Sequence, residues 1–187
     1  MTGRIDRLQK EFELDIRWTA FPLHPETPEE GQTLEEFFAG RLDIQQIMTR
    51  LKKAAQDSGL PFGDQKMIYN SRLAQELSKW AGTKGQEGPF HQVVFQANFV
   101  QGINIGKMDE LQKLAEGIGL PGKEAGEILK KRTFKMAVDS DWARSRSLGI
   151  QAVPTFVLNG NSLVGAQPYE KMGKFLEAAG VKKRMGD

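Results

Sequence analysis

The chain has 187 residues, of which 39% are hydrophobic and 27% charged, and a formal net charge of +2. That suffices for one domain with a full core or with a large insertion, and the small charge points by itself to neither a nucleic acid nor an anionic membrane. Cysteine is absent and the only histidines are His24 and His91, which excludes disulfides and a thiolate nucleophile within this sequence and argues against a metal site.

Ile5, Leu8 and Phe12 recur at helical spacing, predicting an amphipathic helix over 4–13 that begins almost at the first residue. Residues 14–21 then alternate apolar and polar, the pattern of a strand with one buried face. Pro22, Pro25 and Pro28 end it and carry the chain through a polar loop holding His24, which reads as a surface residue. Thr33 with Glu36 spells a capping box ahead of Leu34, Phe37 and Phe38. Asp43 can cap a helix bearing Ile44, Ile47, Met48, Leu51 and Ala55, stopped at Gly59.

A third helix in this middle stretch runs from about Asn70 to Gly82 on Leu73, Leu77, Trp80 and Ala81. Pro89 suits the first turn of the next, with Phe90, Val93, Val94, Ala97 and Val100 on one face. Two more cover 111–118 and roughly 123–132, and a last long one runs from Phe134 to Leu148. The basic runs 130–132 and 182–184 read as solvated helix ends, since cations suit helix C-termini. No apolar run approaches the ~20 residues of a membrane span, and the first residues lack a secretory apolar region, so the expected compartment is the cytoplasm.

Residues 149–160, GIQAVPTFVLNG, interrupt a β pattern with Pro154. Proline has no N–H for a ladder, so it opens an edge strand or sits in a special loop. Asn159-Gly160 between two β runs predicts a hairpin, with Ser162-Leu163-Val164 as its second strand and a closing helix from Tyr169 to Ala179. The order predicts an α/β domain interrupted by helices.

Four segments in order carry a family resemblance: 17–25 (RWTAFPLHP), 69–74 (YNSRLA), 149–159 and 165–168 (GAQP). With them the chain resembles the DsbA-like thioredoxin-fold family, and within it the FrnE-type subgroup. That subgroup is related to 2-hydroxychromene-2-carboxylate isomerases and kappa-class glutathione transferases. The resemblance implies an α/β thioredoxin-like fold with a large helical insertion and its first strand missing. It implies one domain over 1–187, with thioredoxin-like parts at about 1–30 and 134–180 and the insertion at about 33–132. It also implies that Pro154 is cis and that Val153 offers its backbone to a peptide or to glutathione, a small case of strand addition. Asn70 and Ser71, and Gly165, Ala166 and Gln167, would border the same cleft; each pair or run can equally be a helix start.

The departure is at the N-terminus. Relatives carry a strand and a C-P-x-C or Cys/Ser motif where this sequence is already in its first helix, a difference on the order of 15 residues. Catalytic residues are therefore assigned to none of the positions present. The expectation is that Met1 is internal to a longer product, with a true pseudoenzyme as the rival. Either the two strands 15–21 and 155–158 pair directly, or a partner chain or added residues fill the gap, because buried backbone groups need partners. Three readings follow: a DsbA-family thiol–disulfide oxidoreductase inactive in this cysteine-free form, a glutathione-dependent isomerase or transferase, or a non-catalytic peptide- or thiol-binding protein. Glutathione is the one cofactor implied. The partners are a thiol or disulfide protein or a glutathione-like substrate, with a homodimer expected and neither nucleic acid nor membrane.

Overall fold

A computed structural model describes residues 2–39, 43–57 and 59–184. In chain order the elements are α1 (Thr2–Glu11), β1 (Gln32–Thr33), α2 (Leu34–Phe38), α3 (Ile44–Asp57), β2 (Met67–Ile68), α4 (Arg72–Thr83) and α5 (Glu87–Phe99). There follow α6 (Met108–Gly117), α7 (Gly122–Lys131), α8 (Lys135–Ser147), β3 (Thr155–Leu158), β4 (Asn161–Val164) and α9 (Tyr169–Ala178). The chain divides into two compact units, Met1–Leu23 with Trp142–Asp187, and His24–Asp141. The expectation about Met1 concerns a residue outside the described set.

The first unit is built on α1, the β3–β4 hairpin and α9. Ile5, Leu8 and Phe12 recur every three or four residues and are buried against Met172 and Leu176 of α9. Phe156, Leu158 and Leu163 of the hairpin join that core, as do Leu14, Ile16 and Trp18. The hairpin is a two-residue turn: Leu158 pairs with Asn161, and Asn159 and Gly160 take φ 49° and 81°. Two positive φ values in succession make the mirror-image turn that matches strand twist, and explain Asn-Gly there.

The strand predicted over 15–21 is corrected. Its side chains alternate half-buried and exposed, yet among the described residues it forms no ladder, and β3 pairs with β4 alone. The direct pairing of 15–21 with 155–158 is therefore not made. Alternation is a property of side chains, whereas a strand also needs a backbone neighbour at about 4.8 Å. Just before this segment, Phe12 bridges Lys183 and Glu13 N donates to Lys182 O at 2.9 Å.

The second unit holds most of the helices. Leu77, Trp80, Ala81, Phe90, Leu111, Ala115, Ala125 and Leu129 form its dry centre, drawn from the apolar stripes of α4, α5, α6 and α7. The capping box is present: Glu36 N donates to Thr33 Oγ1 at 3.1 Å and Thr33 N to Glu36 at 2.9 Å. Just before it lies a short ladder, with Gln32 opposite Ile68 and Thr33 opposite Met67. The Glu76 carboxylate is buried in this unit, 1% exposed. Arg132 forks onto both its oxygens at 2.7 Å, and Arg72 donates to it at 2.6 Å.

Candidate functional site

In the first unit the sequence brings the end of α8 into β3 through Gly149, whose φ of 65° ends the helix as an L side chain cannot do cheaply. Ile150 N donates back to Ser145 O at 3.0 Å, and residues 151–153 emerge exposed, Val153 at 44%. The Val153–Pro154 bond is cis. Thr155 Oγ1 donates to Ala152 O at 2.6 Å, which occupies the hydroxyl nearest the loop.

The second predicted segment meets this loop. Gly165 N donates to Pro154 O at 2.7 Å, extending the hairpin by one bond beyond the Thr155–Val164 pair. Gly165 has φ 87°, and the chain turns there because Gln167 N donates to Gly165 O at 2.9 Å. Gln167 Nε2 donates to Val164 O at 2.6 Å, and Arg4 donates to Gln167 O at 3.1 Å. Val153, Pro154, Gly165, Ala166 and Gln167 thus share one junction at the head of α9. The side chain of Gln167 holds the turn, while Val153 and Ala166 are exposed.

Asn70 and Ser71 belong to the other unit and are read there. Asn70 Nδ2 donates to Thr27 O at 2.7 Å and to Pro25 O at 3.4 Å, and its Oδ1 accepts from Arg72 N at 2.9 Å. It therefore takes up the first N–H of α4 and staples the proline-rich loop, so both ends of its amide are engaged. Ser71 makes no side-chain cap bond; its Oγ accepts from Gln75 at 3.2 Å. Asn104 Nδ2 fastens the same loop at Glu29 O, 2.9 Å.

Arg4, Arg7, Glu11 and Tyr169 were not singled out from sequence. The Arg7 guanidinium lies 3.8 Å from the Tyr169 ring centroid, and Tyr169 Oη donates to Glu11, which also accepts from Arg7 at 2.9 Å. The Tyr169 hydrogen bond, then that of Arg7, holds the Glu11 carboxyl below its usual range. Burial, reinforced by Glu11, pushes the Tyr169 phenol up. The helical spacing of Arg7 and Glu11 was readable; their meeting with Tyr169 is a tertiary event.

No thiol exists in the sequence, and among the described residues no group of acidic or histidine side chains could hold a metal ion. Among them, too, no helix is long and apolar enough to cross a membrane. What the junction offers is therefore backbone and shape rather than a nucleophile.

Residues 1–177 match the DSBA-like thioredoxin domain, and the chain belongs to that family. A probable DsbA oxidoreductase from Streptomyces coelicolor superposes with a TM-score of 0.86 over 95% of this chain and 82% of its own, at 21% identity. A 2-hydroxychromene-2-carboxylate isomerase superposes with a TM-score of 0.70 over 95% of this chain and 85% of its own, at 20% identity. Both bear out the thioredoxin-like α/β fold with its helical insertion. The uncharacterised protein YwbO of Bacillus subtilis is 34% identical over 101 residues, which are 54% of this chain and only 50% of YwbO's length.

Proposed function

We propose that this chain carries the substrate-contacting part of a FrnE-type thiol–disulfide oxidoreductase, with the redox thiols supplied by residues outside the given sequence. The observation that carries the reading is the junction itself. Val153 stands exposed before Pro154, while Pro154 O is tied to Gly165 N, so that the loop is fixed and its outer edge is open. An extended peptide would add to that edge as a strand does, backbone to backbone. Disulfide exchange proceeds by thiolate attack on sulfur, and a cysteine-free chain has no group to make that attack.

One feature supports an additional strand beside β3: among the described residues β3 pairs with β4 alone. A strand bearing a C-x-x-C motif on the free side of β3 would supply the chemistry. Cytoplasmic residence belongs to the same reading and is checked by fractionation. The test is a dithiol-driven insulin-reduction assay on this chain and on one extended upstream in frame. Activity in the extended chain alone is expected; activity in the cysteine-free chain would refute the assignment. A glutathione titration by calorimetry separates the alternatives. Heat of binding with no thiol exchange in the extended chain would favour the isomerase or the non-catalytic binder.

A further inference from the structure

The junction of Pro154 with Gly165 has charge of one sign around it. Residues 142–169, which include the whole loop and hairpin, contain no aspartate or glutamate. The loop 150–153 leaves the last turn of α8, which carries Arg144 and Arg146, both exposed. Across the hydrogen bond from Gly165 N to Pro154 O lies the head of α9. There Arg4 donates to Gln167 O at 3.1 Å, and Lys171 is exposed in the first turn. Among the described residues none of these four cations is in an ion pair, whereas Arg7 and Lys183 of the same unit are engaged by Glu11 and Glu177. Of the acids nearest the four in sequence, Asp141 is buried and held by Lys79 at 2.6 Å, which leaves Asp6 and Glu170.

Arg144 and Arg146 suit the C-terminus of α8, whose dipole favours positive charge. Lys171 does not suit its place, because the first turn of a helix favours an acid. A cation kept there, close to Arg4, favours an anion from outside the chain. An extended peptide can answer the open backbone edge at Val153 with its own N–H and C=O groups, which a nucleic acid cannot. Carboxylates along such a peptide would meet Arg144 and Arg146 on the side of α8, and Arg4 and Lys171 on the side of α9.

We propose that the segment taken up at Val153 is acidic, an extended peptide rich in aspartate or glutamate, selected by Arg4, Arg144, Arg146 and Lys171. The proposal rests on strand addition at that edge. Fluorescence anisotropy with labelled, cysteine-free peptides tests it, threonine alternating with glutamate, serine or lysine along otherwise identical chains. The glutamate peptide is expected to bind about tenfold more tightly than the serine peptide at low salt, and the lysine peptide most weakly. Raising the salt from about 0.05 to 0.5 M should shrink these differences, since the charges are then screened. Arg144→Gln/Arg146→Gln should bring the glutamate peptide close to the serine peptide. Lys130→Gln/Lys131→Gln, which removes the same charge from α7, should leave the preference as it was. Equal binding of the three peptides would overturn the acidic preference and leave strand addition standing, whereas binding of none would overturn both. An equal loss in the two double variants, or tighter binding of a polythymidine oligonucleotide than of the glutamate peptide, would also overturn the proposal.

Discussion

A carboxylate that is 1% exposed is tolerated only where its charge is matched in place, and Glu76 is matched by Arg132 at the C-cap of α7 and from its own helix by Arg72. Burial pushes its pKa up, but the hydrogen bonds from Arg132 and Arg72 more than reverse this and hold it below the usual range. Arg132 itself takes φ 52°, a left-handed conformation costing a non-glycine residue roughly 1–2 kcal/mol, and its fork onto Glu76 offsets that cost. Removing one partner strands the others, so Glu76→Ala should destabilise by about 3–5 kcal/mol in a urea titration. At Asn70 the expectation is more specific. Asn70→Ala loses the acceptor of Arg72 N and the donor to Thr27 O, about 1–2 kcal/mol, whereas Ser71→Ala should change the melting temperature little. The reverse order would return Ser71 to the role of cap. From sequence both residues looked equally suited to head a helix, because cap propensity does not say which amide finds a second partner 43 residues away.

Elements held by local chemistry were the readable ones. The Thr33–Glu36 box and the Asp43 cap, where Gln46 N donates to Asp43 at 3.0 Å, stand where their spacing puts them. The Asn159-Gly160 turn was equally legible, because its φ values demand those residue types. Gly160→Val should therefore strain the turn at φ 81° and cost on the order of 1–2 kcal/mol, read as a lower melting temperature with α9 helicity retained. What the sequence could not disclose was pairing. Residues 14–21 carry a strand's alternation without a ladder, and the two-residue ladder of β1 and β2 is too short to leave a period. The candidate site shared this limit. Pro154 and Gly165 each stood out as local turn signals, but the hydrogen bond joining them depends on hairpin register.

At the scale of the whole molecule, the buried ionisable side chains are unevenly placed, and acid should expose the difference. Glu76 and Asp141 are buried in the His24–Asp141 unit, where His91 also lies against Ser78 at 2.9 Å. Burial, assisted by the Lys79 charge, lowers the His91 pKa from 6.5 to about 4. Above pH 6.5 the imidazole is neutral whether the chain is folded or not, and it adds no pH dependence. As the pH falls from 6.5 to about 4, the unfolded chain takes up a proton that the folded chain refuses. Stability then drops by up to about 3 kcal/mol and levels off below the folded value. Glu76, with its folded pKa lowered, adds a further loss once the pH passes below the usual carboxylate range. In the other unit Glu11 is also held low, but it is engaged at the surface, where such pairs contribute little. Hydrogen exchange compared at about pH 7.5 and pH 5 should therefore show α4 and α5 losing protection while β3, β4 and α9 keep theirs. His91→Gln retains a hydrogen-bonding group for Ser78 and removes the titration, so the slope of stability between pH 6.5 and 4 should flatten in that variant. Equal loss of protection in both units, or an unchanged slope in His91→Gln, would place the acid response elsewhere.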